Sequence, residues 1–242
     1  MSHASNFLLA SLPAPDVGAL RPHLRTIELP QGMVLFEVGD PITQVYFPHS
    51  GVVSLVVPLE SGETIESAMI GRESVVGGSA GLNGQVSVYK AIVQIAGAGS
   101  ALDTEKFRAM ADASTACRTA LFRHEQLLLV QAQQSAACNA THTVEARLAR
   151  WLLRCRDLQG GDDLLLTQEF ISQMMGVRRT SVSVVANTLQ QAGFVRYSRG
   201  HIRILNLEGL QETTCECYQT VKSHAERLLG RGHAGIQIAS PK

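Results

Sequence analysis

From Ala113 to about Asn139 the chain holds neither proline nor glycine, and no other stretch constrains its fold as tightly. Alanine, leucine, glutamine and arginine dominate the segment, residues that lose little side-chain freedom in a helix. Leu121, Leu128 and Ala132, flanked by Phe122, Leu129 and Ala136, recur at spacings of three, four and seven. That pattern predicts a long helix with an apolar stripe. The stripe can pack on the chain's own sheet or on another chain. A single helix of about 25 residues joining two domains favours the second, as a dimer seam.

The text on either side differs in kind. Between about residues 25 and 107, "GMVLFEVGDP", "QVYFPHSGVVSLVVPLESGETIESAMI" and "VSVYKAIVQIAGAGSALD" are rich in Val, Ile, Tyr and Phe. Gly39-Asp40-Pro41, Ser50-Gly51 and Ser61-Gly62-Glu63 punctuate them as turns. Short strands at such spacing predict a sandwich, barrel or β-roll. Downstream, "HTVEARLARWLLRCRDLQGG" reads as an amphipathic helix. Thr143 is its candidate N-cap, Glu145 sits in its first turn and Gly160-Gly161 ends it.

Zero formal net charge hides an asymmetry. Residues 1–140 carry 8 basic and 12 acidic side chains, and residues 141–242 carry 13 and 9. Within 164–207 five arginines face one acid, Glu169. Charge this local suits a module that touches a polyanion. No apolar run approaches the roughly 18–20 residues that span a bilayer. The N-terminus lacks a basic region ahead of its short apolar stretch, so a cytoplasmic protein without a signal peptide is expected.

The arginines cluster around "LTQEFISQMMGVRRTSVSVVANTLQQAGFVRYSRGHIRIL". Thr167 can cap a helix whose buried face is Ile171, Met174 and Met175, and Gly176 permits a sharp turn. A second helix is predicted from about Arg178 to Ala192, with Val182, Val185, Ala186 and Leu189 inward. Its opposite face carries Arg179, Ser183 and Asn187 at i, i+4 and i+8, with Thr180 and Val184 alongside. Two short helices about a glycine turn make a helix-turn-helix, and the second fits the major groove of DNA. There arginine can pair with guanine and asparagine with adenine. "FVRYSRGHIRILN" alternates as a hairpin turning at Arg199-Gly200, a wing whose arginines can straddle phosphates. The site expected here comprises Arg178, Arg179, Thr180, Ser181, Ser183, Asn187, Arg199 and His201, with double-stranded DNA as partner.

These residues resemble the winged helix-turn-helix of the Crp/Fnr superfamily of bacterial transcription regulators. "GMVLFEVGDPITQVYFPHSGVVSL" is similar to that family's cyclic-nucleotide-binding-like β-roll, and "EARLARWLL" to the start of its DNA-binding domain. The resemblance covers roughly residues 20–210. It implies an α+β chain: an N-terminal double-stranded β-helix sensor domain over 1–112, a dimerisation helix over 113–141, a winged helix-turn-helix over 142–230 and a tail over 231–242. It further implies a homodimer on a two-fold symmetric operator, with RNA polymerase as a further partner. Phosphate contact is implied near Thr167 and Gln168, which thereby join the expected site, and base contact from Arg179, Thr180 and Ser183.

Three departures qualify the resemblance. Cyclic-AMP-binding members carry a cassette with Gly-Glu near its start and Arg-Ser near its end. Here "GRESVVGGSAGLNGQVSVYKA" places nothing basic around Gln85 to Ser87, so cyclic AMP is not expected as effector. Gly77, Gly78, Ser79, Gly84 and Ser87 remain the candidates for an unidentified effector, since backbone N–H groups in a glycine-rich loop can face an anion. Turn formation is the simpler use of those glycines. Oxygen-sensing members hold an iron–sulfur cluster on an N-terminal cysteine group, whereas the first cysteine here is Cys117. The recognition helix has Thr180 and Val184 where members reading the best-known operators carry glutamate and arginine, so another half-site is expected.

The five cysteines, Cys117, Cys138, Cys155, Cys215 and Cys217, include no CxxC pair. Cys215 and Cys217, read as lying on one C-terminal helix, would point to different sides of it, which disfavours a chelate. No metal site and no cofactor are therefore expected. A redox- or haem-gated regulator is the alternative within the class, with His49, His124 and His142 as haem-ligand candidates. An enzyme on the β-roll is the remote alternative. His23, His49, Glu66 and Glu73 show no ligand spacing, and there is no Walker loop, GxSxG or HExxH.

Overall fold

The computed structural model describes residues 3–230, so the tail expected over 231–242 lies outside the described residues. Two short helices, α1 (Phe7–Ser11) and α2 (Ala14–Leu20), precede seven strands. These are β1 (Arg25–Leu29), β2 (Val34–Phe36), β3 (Gln44–Pro48), β4 (Val52–Pro58), β5 (Thr64–Ile70), β6 (Lys90–Ile95) and β7 (Gly97–Asp103). They form two antiparallel sheets, ordered β1-β7-β3 and β2-β6-β4-β5. Ala96 alone separates β6 from β7, so the chain passes from one sheet straight into the other and closes the roll. Phe36, Val45, Phe47, Leu55, Ile70, Val93 and Leu102 fill its interior with α2 and α3 (Thr104–Ala113) against it.

Helix α4 spans Thr115–Thr141, capped by Ser114, whose hydroxyl accepts from the Cys117 amide at 3.1 Å. Its buried positions, Cys117, Leu121, His124, Leu127, Gln131, Ser135 and Cys138, step by three and four. Gln131 and Ser135 bond strand β5 of the roll, and Cys138, at the end of the row, meets Cys215 instead. On another side Phe122 is 56% exposed and Leu129 58%, and exposed Ala136 continues the same seven-residue row. The helix is thus apolar on two sides, and the roll occupies only one of them.

Helix α5 (Val144–Gln159) begins at Thr143, which accepts from the Ala146 amide at 3.3 Å, and ends at Gly160 in the left-handed region. It packs between the outer face of the second sheet and the winged module. Val52, Val56, Met69 and Ile95 of the roll share one core with Leu148, Trp151, Leu152, Ile171, Met174, Val182 and Leu189. The winged module comprises β8 (Asp163–Leu165), α6 (Gln168–Met175), α7 (Arg179–Gln191), β9 (Val195–Ser198) and β10 (His201–Ile204). Strand β8, not expected from the sequence, joins the hairpin on the β10 side. Helices α8 (Leu207–Thr213) and α9 (Cys217–Leu229) follow, and α9 packs along α4. The fold is α+β: a jelly-roll-like sheet domain, a long helix and a helical module with a small sheet.

One expectation is corrected at this level. Cys215 and Cys217 do not share a helix, because α9 starts at Cys217 and Cys215 lies in the link after α8. The helical angle between i and i+2 therefore does not apply, and the link turns both thiols toward Cys138 of α4.

Candidate nucleic-acid interface

Helix α6 is capped by Thr167, whose hydroxyl accepts from the Phe170 amide at 3.2 Å. It ends at Gly176, φ +60° and ψ 44°, a left-handed residue that glycine adopts without steric cost. Val177 N–H donates to the Ser172 carbonyl at 3.1 Å, which closes the helix end and aims the chain into α7. Ile65 of β5 lies 3.0 Å from where a Cβ on Gly176 would stand, so the turn is also a close contact with the roll.

Helix α7 buries Val182, Ala186 and Leu189 and half-buries Val185. Arg178, Arg179, Thr180, Val184 and Asn187 are exposed, and Ser181 and Ser183 are half-buried. The polar flank of α7 thus faces solvent. No side chain caps its N-terminus, where Arg178 holds the cap position. Free N–H groups and the helix dipole there favour an anion. Ser183 donates to Gln168 Oε1 at 2.6 Å and is also within 3.1 Å of the Arg179 carbonyl. Gln168 is therefore held against α7 by its side chain. Its backbone N–H donates to the Tyr197 hydroxyl at 3.0 Å, which ties the wing to the first helix of the motif. Arg179 sits 3.7 Å from Glu169, an exposed pair, at the rim of a cleft of about 510 Å³ between roll and helix-turn-helix.

The wing turns at Arg199, φ +47°, and Gly200, φ +81°. Two consecutive positive φ values are those of a type I′ hairpin. Val195 and Ile202 face the core, while Arg196, Ser198 and Arg203 are exposed and His201 is half-buried. Arg196 and Arg203 stand directly opposite each other, an arrangement the sequence reading did not single out although the alternation of "VRYSRGHIRI" contains it. Like charges so placed repel, which a phosphate backbone would relieve. Asp163 of β8 partly offsets them, 3.4 Å from His201 and 3.8 Å from Arg203. Among the described residues Arg178, Arg196 and Arg199 form no ion pair. The ten residues expected from the sequence accordingly fall on α7, the start of α6 and the wing.

The glycine-rich loop is organised differently. Gly77, φ +82°, packs on Phe36 and Ile42, and a Cβ on Gly78 would stand 2.7 Å from the buried His124 ring. Gly84 N–H donates to the Ser79 carbonyl at 2.8 Å, and Ser87 donates to the Tyr89 carbonyl at 2.6 Å. Other bonds tie the loop to residues 39–42: Ser87 N–H donates to the Asp40 carbonyl at 2.9 Å and Ile42 N–H to the Gln85 carbonyl at 3.0 Å. The three haem-ligand candidates are also engaged separately. His49 bonds Ser100 at 2.7 Å, His124 bonds Ser74, and His142 lies 3.2 Å from Glu216. Burial lowers the His124 imidazole to about 4, so it is neutral.

Behind the interface a polar junction joins α5 to the roll. Trp151 donates its indole N–H to Glu66 Oε1 at 3.0 Å, and Arg154 pairs with Glu73 at 3.3 Å, all four groups buried. Glu73, in the segment "GRESVVGGSAGLNGQVSVYKA", is thus committed to the domain junction. Burial pushes the Glu66 carboxyl up to about 7, although bonds from Ser54 and Trp151 and the charges of Arg150 and Arg154 pull it down.

A β-roll joined through a long helix to a winged helix-turn-helix whose second helix exposes a basic flank is the architecture of a DNA-binding regulator. The Crp-like helix-turn-helix domain model matches residues 146–213, and the cyclic nucleotide-binding domain model matches 26–114, together well over half of the chain. The chain belongs to the Crp/Fnr family of transcription regulators. No curated protein matches it at a significant level. Among solved structures it is similar to FixK2 from Bradyrhizobium japonicum, with TM-score 0.69 and 17% identity over 79% of this chain and 98% of that one. A protein assigned to the Crp/Fnr regulators from Eubacterium rectale gives TM-score 0.66 at 17% identity, over 85% and 96%. A CRP-family regulator from Thermus thermophilus gives 0.64 at 22% identity, over 77% and 95%. At such identities the likeness speaks for the fold alone. Among the described residues no helix is long and apolar enough to cross a membrane.

Proposed function

We propose that the protein is a sequence-specific regulator that binds a two-fold symmetric operator in the cytoplasm as a homodimer. The observation that carries this reading is the open flank of α7: Arg179, Thr180 and Asn187 exposed on one side while Val182, Ala186 and Leu189 anchor the other. Arg179 and Asn187 read base edges, and Thr180, Ser181 and Ser183 contact phosphates or bases. Thr167, Gln168, Arg178, Arg199 and His201 position the backbone. Residues 142–230 form the reading domain, residues 113–141 the dimer seam, and residues 1–112 a sensor domain for an effector other than cyclic AMP. The uncovered row Phe122, Leu129 and Ala136 on α4 supports the seam, since its repeat of seven is that of a two-helix interface.

Arg179→Ala tests the reading in a titration of labelled duplexes at several salt concentrations. A base-reading arginine predicts a loss of about 1–3 kcal/mol on the preferred site and a flattened preference among sites. Equal weakening on every sequence, with a shallower salt slope, would make Arg179 a phosphate anchor only.

A further inference from the structure

Where α4 hands the chain over to α5, four metal-ligating side chains meet. Cys138 lies in the last turn of α4, His142 caps that helix, Cys215 sits in the link after α8, and Cys217 opens α9. One ligand atom from each, three thiols and an imidazole nitrogen, all lie within 4.8 Å of one another. Cys138 Sγ stands 3.5 Å from Cys215 Sγ, and Cys217 Sγ stands 3.5 Å from His142 Nδ1. A tetrahedron with metal–sulfur bonds of about 2.3 Å and a metal–nitrogen bond of about 2.0 Å has edges of about 3.5–3.8 Å. The two contacts already match those edges. We propose that Cys138, Cys215, Cys217 and His142 form a tetrahedral site for a single thiophilic divalent cation of the zinc class.

The surroundings are those such a site needs. His142 turns Nδ1 toward Cys217 and Nε2 toward the Glu216 carboxylate at 3.2 Å. A histidine that ligates a metal through one nitrogen commonly donates the other N–H to a carboxylate, which fixes its tautomer. Thr141 Oγ1, 3.4 Å from Nδ1, is the weaker competing partner. Gln134 donates an amide N–H to Cys217 Sγ at 3.0 Å, a bond that a thiolate accepts well. Three thiolates around a divalent cation leave a net charge of minus one. Arg147 and Arg150 are close enough to act on the Cys138 thiol, and each holds a buried Nε with no hydrogen-bond partner among the described residues. A disulfide between Cys138 and Cys215 would use two of the four groups and leave the imidazole and the third thiol unexplained.

The placement gives the ion a mechanical role. It would fasten α9 to the end of α4, beside Thr143, where the chain leaves the long helix for the reading domain. The site stands on its own side chains and does not depend on the DNA-binding reading. Metal uptake and DNA affinity are measured separately, so either can fail while the other holds.

The test uses the full-length protein kept reduced, stripped with a chelator and titrated with cobalt(II). About one cobalt per chain is expected, with the near-ultraviolet thiolate-to-cobalt band and the visible bands of tetrahedral coordination, both abolished by added zinc. Cys138→Ser and Cys215→Ser should each lower affinity by about 100-fold or more. Glu216→Gln should lower it by about 10-fold, through His142. Cys117→Ser, inside the roll, should change nothing. Absence of the thiolate band in the wild-type protein would overturn the site, whatever the variants do. So would full affinity in Cys215→Ser, or, in protein isolated without reductant, a Cys138–Cys215 disulfide found by mass spectrometry in place of stoichiometric metal.

Discussion

Replacing Glu66 with glutamine should stabilise the protein, and the gain should depend on pH. Glu66 is buried between β5 and α5, and its carboxyl rises from 4.5 to about 7, chiefly through loss of solvent. The hydrogen bonds around it point the same way. Ser54 has one proton, yet both Glu66 Oε2, at 2.5 Å, and Gln94 Oε1 lie within bonding reach of its oxygen. With Glu66 protonated the donors close in a chain: Glu66 to Ser54, Ser54 to Gln94, and Gln94 Nε2 to Cys155 Sγ at 3.0 Å. Glutamine reproduces this state, donating to Ser54 while its oxygen still accepts from Trp151. The folded form holds the proton more tightly than the unfolded chain, so stability falls as pH rises from 4.5 to about 7. Relative to low pH, that shift removes about 1 kcal/mol of stability at a pH of about 5, where only the unfolded carboxyl ionises, and about 3 kcal/mol at a pH of about 8, where both forms do. Glutamine escapes this cost. Urea unfolding of both proteins at the two pH values, at one protein concentration, measures the difference. An advantage for Glu66→Gln that is absent, or the same at both pH values, would mean that Glu66 holds no extra proton in the folded state.

Two further substitutions probe other parts of the fold. Leu129→Lys changes an exposed side chain, so the unfolding slope should persist while sedimentation reports a monomer instead of a dimer; an unchanged dimer would move the seam off this row. Gly78→Ala would drive a Cβ to 2.7 Å from the His124 ring, which is buried and bonded to Ser74 and has no room to swing. A loss of about 1–3 kcal/mol in chemical denaturation is expected, and none would show that the loop relaxes freely.

The parts of this structure that the sequence makes legible are those governed by local rules. Thr143, Thr167, Gly160 and Gly176 mark helix ends through their own chemistry, and the structure uses each of them that way. The spacing of Val182, Ala186 and Leu189 identifies the inner face of α7 because a helix repeats regularly. The less legible parts depend on which elements meet. Strand β8 has three residues, too few for any periodicity, and exists because β10 offers it an edge. Cys215 and Cys217 acquire their meaning from Cys138, more than seventy positions away, and from a helix that begins two residues later than their spacing suggests. Nothing in the residues around Glu66 marks it as buried, because the group that covers it, Trp151, comes from α5, 85 positions away.

On this reading the outer flank of α7 reads DNA sequence from a symmetric dimer. Selection of duplexes from a random library by the full-length protein tests it most directly, because half-site, symmetry and spacing are recovered together. Selection should recover an inverted repeat with half-site centres about one helical turn apart, about 34–36 Å, and a preference that Arg179→Ala relaxes. Recovery of no preferred sequence, or of a motif lacking two-fold symmetry, would contradict it.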